Sequence, residues 1–200
     1  QGATRASAGI LAPYIEGHES SALRTLGRRS LDQFDTFIAG LRAASGHDVI
    51  YRRTGTFELA LDQAGVDRLT ALRSALTAEG VEARWVQPAD FADHEPHASS
   101  AALGAVLIPT HGFVGVTSVT LAAAAAAQKL GARFTTETGA IRIYPTSSDG
   151  VGVEAGGVAW EADRVVLAAG SWSSQITVEG ADPVPVKPIR GQLLQLQAKP

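Results

Sequence analysis

The sequence predicts a mixed α/β (α+β) fold, on three observations. Segments 20–45, 63–79 and 117–130 carry apolar or alanine-rich helical patterns. Short apolar strands stand between those helices. After the third helix comes a run of short strands punctuated by turns. Helices mixed with both isolated and meandering strands imply a chain that crosses between two sheets.

In the first helix, Leu23, Leu26, Phe34, Phe37, Ile38 and Leu41 fall at three- and four-residue spacings, and Gly46 stands at the stop. Residues 54–61 alternate, with Phe57, Leu59 and Leu61 on one face, and predict a strand facing a core. The second helix places Val66, Leu69, Leu72 and Leu76 on one stripe before Gly80. Trp85-Val86 predicts a short strand, 88–95 a single helical turn, and 105–108 a further strand. The alanine-rich helix 117–130 ends at Gly131, and its small side chains suit close packing on a sheet. Strands are expected at 133–137, 140–144, 151–154, 158–160 and 164–168, and again at 192–196 beyond the stiff stretch of Pro183, Pro185 and Pro188.

Composition excludes several function classes. A chain of 200 residues buries roughly 70% of its unfolded surface, enough for one core or two small interleaved ones. Lys and Arg number 17 against 20 Asp and Glu, a net charge of −3. With no basic excess to neutralise phosphates, a nucleic-acid partner is not expected. The absence of cysteine excludes disulfides, thiolate catalysis and Cys-ligated clusters, and fits a cytoplasmic location. No apolar run reaches the roughly 18–20 residues of a membrane span, the closest being the six alanines of 122–127. Residues 1–7 are small and polar, unlike a signal peptide, and the lack of methionine reads as a chain that is processed, cut from a longer protein, or truncated.

Three segments can carry chemistry. The run Arg164-Val165-Val166-Leu167-Ala168-Ala169-Gly170-Ser171-Trp172-Ser173 reads as a buried strand leading into a helical turn. In a doubly wound sheet ligands bind beyond such strand ends, and a helix start offers free N–H groups. An ordinary strand-to-helix turn with a packing glycine fits the same residues. The small residues from Gly2 to Pro13, with Thr4 and Ser7 among them, form either a loop against which a planar or phosphorylated group can press, or a plain surface loop. In Pro188-Ile189-Arg190-Gly191-Gln192, either Arg190 or Gln192 reaches a ligand or the segment is an edge strand with a solvated arginine.

Other chemistries find no support. His94 and His97 are interrupted by Pro96 and lack a further ligand pair, so no metal site is expected. His18, His47 and His111 read as loop or surface residues. The sequence holds no G-x-S-x-G elbow, no phosphate-binding G-x-x-x-x-G-K-[ST] loop and no G-x-G-x-x-G fingerprint.

The order of these segments resembles the FAD-dependent oxidoreductases of the D-amino-acid oxidase type, and among them the glycine oxidases of thiamine biosynthesis. The resemblance runs through Ala8-Gly9-Ile10-Leu11-Ala12-Pro13, Tyr51-Arg52-Arg53-Thr54-Gly55-Thr56-Phe57, His94-Glu95-Pro96, Gly112-Phe113-Val114 and Leu130-Gly131-Ala132. Its most specific pieces are Ala168-Ala169-Gly170-Ser171-Trp172-Ser173 and Pro188-Ile189-Arg190-Gly191-Gln192.

The resemblance implies an FAD/NAD(P)-binding-type fold interleaved with an antiparallel-sheet substrate domain. FAD-binding pieces would be 1–46 and 112–180, and substrate-domain pieces 47–111 and 181–200, with strands near 49–61, 85–86, 105–108 and 189–197 in the substrate sheet. The N-terminal dinucleotide turn and the C-terminal part with the substrate-carboxylate arginine would lie outside these residues. The implied FAD contacts are Ala3, Thr4, Ala8, Gly9, Ile10, Ala169 and Gly170. Ala140 would stand where the family has a valine that binds through its backbone. No catalytic or substrate-binding side chain is assigned.

The implied chemistry is oxidation of a small amino acid, glycine or similar, to the imine or 2-oxo acid, with O2 reduced to H2O2. The family's members are often homo-oligomers. Two other readings stand beside this one: a dehydrogenase of the same fold with another electron acceptor, and a non-catalytic domain. These 200 residues are not expected to turn over substrate by themselves.

Overall fold

The computed structural model describes residues 2–16, 22–136, 139–147 and 149–192. It is a mixed α/β structure with antiparallel sheets, and it divides into two compact units. One unit is Ser7–Lys129; the other joins Gln1–Ala6 to Leu130–Pro200.

In the unit Ser7–Lys129, strand β1 (Ile10–Leu11) leads into the single turn α1 (Pro13–Glu16) and the long helix α2 (Ala22–Ser45). Strands β2 (Tyr51–Arg52) and β3 (Thr56–Ala60) precede helix α3 (Gln63–Ala78) and strand β4 (Arg84–Val86). A 3-10 segment Pro88–Asp93, strands β5 (Gly104–Ile108) and β6 (Gly112–Val114), and helix α4 (Val116–Lys129) complete it. The order β1-β6-β2 makes one antiparallel sheet and β3-β5-β4 a second. Strand β2, expected within the substrate sheet, therefore pairs with β6 instead.

Local chemistry accounts for the helix limits. Asp62 caps α3 by accepting from Gly65 N at 2.7 Å. Gly46, Gly80 and Gly131 follow the three long helices at φ of +71°, +75° and +96°. The buried face of α2 is Leu31, Ile38, Leu41 and Ser45. The expected stripe is thus corrected at Leu23, Leu26 and Phe37, which are exposed; the first turns of α2 meet the end of α3 through polar contacts, Arg24 and Arg28 both pairing with Glu79.

The second sheet is covered on both faces. Ala60, Val106 and Ile108 meet Leu69 and Leu76 of α3 on one face. On the other, Phe57 and Leu59 pack with Val86, Phe91, Ala102 and Ala105. Leu61, expected on the Phe57 face, is exposed beyond the strand end.

In the other unit, a 3-10 turn Ala3–Ala6 stands apart in sequence from the meander β7 (Ile141–Pro145), β8 (Val151–Ala155) and β9 (Val158–Ala162). A 3-10 segment Gly170–Gln175 leads to β10 (Thr177–Val178), which pairs in parallel with β7. Two expected strands do not form. Residues 132–136 carry no strand, with Glu137 outside the described residues. The run 164–168 is also irregular, and Val166 is 87% exposed. A strand apolar on both faces needs neighbours on both sides, and among the described residues none pairs with it. The expected strand 192–196 lies outside the described residues except at Gln192, and 189–192 holds no strand. No described helix is long and apolar enough to cross a membrane.

Candidate functional site

The small-residue segments fall into the two units. Ala3 and Thr4 occupy the exposed Ala3–Ala6 turn. A Cβ on Gly2 would stand 2.7 Å from the Trp172 ring, so this turn lies beside the Gly170–Gln175 segment. Ala169 is half-buried and Gly170 exposed at φ +55°, with nothing within 4 Å of where its Cβ would be. Ala140 is exposed just before β7. The structure thus brings Ala3 and Thr4 into one unit with Ala140, Ala169 and Gly170.

Ala8, Gly9 and Ile10 belong to the other unit. Ala8 and Ile10 are exposed, and Gly9 is buried at φ +70°. A Cβ there would overlap the Val114 carbonyl oxygen, and the Gly9 carbonyl accepts from Val114 N at 2.9 Å. Gly9 therefore serves close backbone packing between β1 and β6, whereas Gly170 presents open backbone. Arg190 is exposed and Gln192 likewise.

A polar cluster emerges that sequence reasoning missed. Arg53 Nη2 donates to Asp35 Oδ2 at 2.7 Å and to the Leu31 carbonyl at 2.9 Å, while Nη1 donates to the Thr110 carbonyl at 2.5 Å. The Tyr51 hydroxyl donates to Asp35 Oδ1 at 2.8 Å. Hydrogen bonds from Arg53 and then Tyr51 hold the Asp35 carboxyl below its ordinary range, and burial followed by the bond to Asp35 pushes the Tyr51 phenol up. Alternation along an extended chain sets Tyr51 and Arg53 on one side, the one signal in Tyr51-Arg52-Arg53 that separates the inward arginine from the exposed Arg52.

His111 corrects its expected surface placement. It lies in the turn between β5 and β6 but is 0% exposed, stacked on Tyr14 at 5.3 Å between ring centroids. Thr56 Oγ1 stands 2.7 Å from Nδ1, and the Tyr14 N–H donates to Nε2 at 3.4 Å. Burial, with the Arg53 charge nearby, lowers its pKa to about 4. His47 is exposed in its loop, and His18 lies outside the described residues. Arg53 borders two hollows, of about 470 Å³ toward Phe57, His94 and Glu95 and of about 420 Å³ toward Tyr14, Asp32 and Asp35. Among the described residues no group of three or more His, Asp or Glu is placed to hold a metal.

Comparison with known proteins fits this architecture. The family described as FAD dependent oxidoreductase (DAO) matches residues 1–200. The glycine oxidase of Geobacillus kaustophilus is 28% identical over 198 residues, 98% of this chain and 52% of that protein. Its crystal structure superposes with a TM-score of 0.80, covering 88% of this chain and 47% of that one. The 4-methylaminobutanoate oxidase (formaldehyde-forming) of Paenarthrobacter nicotinovorans is 26% identical over 84% of this chain and 20% of that protein. The L-alpha-glycerophosphate oxidase of Mycoplasma pneumoniae, solved with FAD bound, shares the fold at a TM-score of 0.71 and 13% identity, covering 87% of this chain and 46% of that one. The chain spans about half the length of the glycine oxidases it matches. It belongs to the DAO family of FAD-dependent oxidoreductases.

Proposed function

We propose that the protein carrying this chain is an FAD-dependent oxidase of a small amino acid, glycine or one like it. The reaction yields the imine and then the 2-oxo acid and ammonia, with O2 reduced to H2O2. The observation that carries this reading is the likeness to glycine oxidase across almost the whole chain, in sequence and in fold alike. A cytoplasmic location and a supply of imine to thiamine thiazole synthesis belong to the same reading.

When bound, FAD supplies the two-electron acceptor for the substrate's α-carbon–nitrogen bond. This chain's share is binding and orientation. The open backbone at Gly170, at the start of a 3-10 turn, offers close approach without a side chain in the way. Ala169 flanks it, Thr4 offers a hydroxyl, and Ala140 contributes through its backbone. Ala8, Gly9 and Ile10 are expected cofactor contacts as well, and their course is set by pairing with β6. Under this reading the pieces 47–111 and 181–200 belong to the substrate domain, and the β3-β5-β4 sheet lies within 47–111.

The test is peroxide release by the full-length protein in air with glycine, sarcosine and D-alanine. Stoichiometric H2O2 with at least one of them supports the oxidase. Turnover only with an added electron acceptor, without peroxide, makes the protein a dehydrogenase of the same family.

A further inference from the structure

We propose that His111 is a positioning residue for the segment Ala8-Gly9-Ile10-Leu11-Ala12-Pro13, because its buried imidazole receives the Tyr14 amide at the point where that segment enters α1. The inference rests on the proposed function, in which this segment contacts the cofactor.

The segment is held at both ends by one stretch of chain, 111–114. At its start, the Gly9 carbonyl accepts from Val114 N at 2.9 Å, and the missing Cβ lets the two backbones touch. In the middle, Ile10 pairs with Phe113 and Leu11 with Gly112. At its end, the Tyr14 N–H belongs to the first turn of a four-residue helix and so has no intrahelical acceptor. Tyr14 is buried, and an unpaired amide there would be costly. His111 Nε2 supplies the acceptor.

That role dictates the state of the ring. Accepting from Tyr14 requires a lone pair on Nε2, so the ring proton stands on Nδ1 and goes to Thr56 Oγ1 on β3. His111 thereby joins α1 to β3, while its backbone carbonyl accepts from Gly55 N at 2.9 Å. A plain turn would need only that backbone bond. A fully buried imidazole is compensated only where both its nitrogens are engaged, as they are here. Charged groups around this arrangement are Arg53, paired with Asp35, Arg28, whose guanidinium lies 5.5 Å over the Tyr14 ring and pairs with Glu79, and Asp32, which borders the same hollow as Tyr14.

The experiment compares His111→Leu, His111→Gln and His111→Asn in the full-length protein. The readouts are FAD affinity by fluorescence quenching and the shape of the bound flavin's visible band. Gln can carry an acceptor to Tyr14, whereas Asn reaches only the Thr56 side. Leu is expected to weaken FAD binding about tenfold, the scale of one buried hydrogen bond. Gln should restore affinity to within about threefold and restore the band shape, and Asn should not. Wild-type affinity and band shape in both Leu and Asn would overturn the inference. Where circular dichroism shows Leu unfolded, the Gln and Asn pair decides, and equal affinities for the two overturn it. A wild-type protein that takes up no FAD overturns the proposed function and this inference together. A wild type that binds, with variants that bind alike, overturns this inference alone.

Discussion

Arg53 Nη2 lies 2.7 Å from Asp35 Oδ2, which ties the chain just after β2 to the middle of α2. The same guanidinium also serves the Leu31 and Thr110 carbonyls, so it spans three segments at once. A lysine ammonium has no planar fork to match those directions. Arg53→Lys should cost about 1–3 kcal/mol, mostly from carbonyls left short of donors. Asp35→Asn should cost under about 1 kcal/mol, because Asp35 is largely solvated. Urea titration of both variants checks the order; an equal or reversed ranking would refute it.

Gly104 lies beneath the indole of Trp85, and a Cβ there would overlap the ring. Trp85 packs against the core between β3-β5-β4 and α3, so the ring cannot simply swing away. Gly104→Ala should destabilise the unit Ser7–Lys129 by about 1–3 kcal/mol through overpacking. Trp85→Ala in the Gly104→Ala background should remove that clash, so a strongly non-additive cycle is expected in thermal melts.

Protonation of His111 opposes folding. Its folded pKa, about 4, lies below the ordinary 6.5, so between these values the unfolded chain binds the proton and the folded one does not. Stability is therefore unaffected by this residue above pH 6.5, falls as pH drops from 6.5 to about 4, and loses no more below. The loss is of order 3 kcal/mol across that window. In His111→Gln this part of the pH dependence should vanish. An identical pH slope in the variant and the wild type between pH 6.5 and 4 would contradict the assignment.

Gly9 and Gly170 both have positive φ but different surroundings. Gly9→Ala meets the Val114 carbonyl and should cost well over 1 kcal/mol, lowering the midpoint of unfolding. Gly170→Ala meets only the backbone preference, about 1 kcal/mol, because its surroundings are open. Under the proposed function, FAD affinity should fall more for Gly170→Val than stability does. Thermal melts with and without FAD separate the two effects.

Helices were legible because 14 to 24 residues repeat their pattern several times. The sheet β1-β6-β2 was not, because strands of two or three residues show too little alternation to register. The run 164–168 misled for the opposite reason. Its β-branched residues suit a buried strand, yet burial depends on partners that a local pattern does not contain. At the candidate site, the glycines could be picked out as small, but the difference between Gly9 and Gly170 lies in what stands opposite each of them. His111 escaped notice because the turn around it resembles any surface turn, while its burial comes from Tyr14 and Thr56, distant in sequence.

Under the proposed function this chain forms part of a flavin site. Its most direct test is the visible absorption spectrum of the full-length protein after incubation with FAD and size-exclusion chromatography. Oxidised-flavin bands are expected to travel with the protein and to bleach when glycine or another small amino acid is added without oxygen. A colourless full-length protein that takes up no FAD would contradict it.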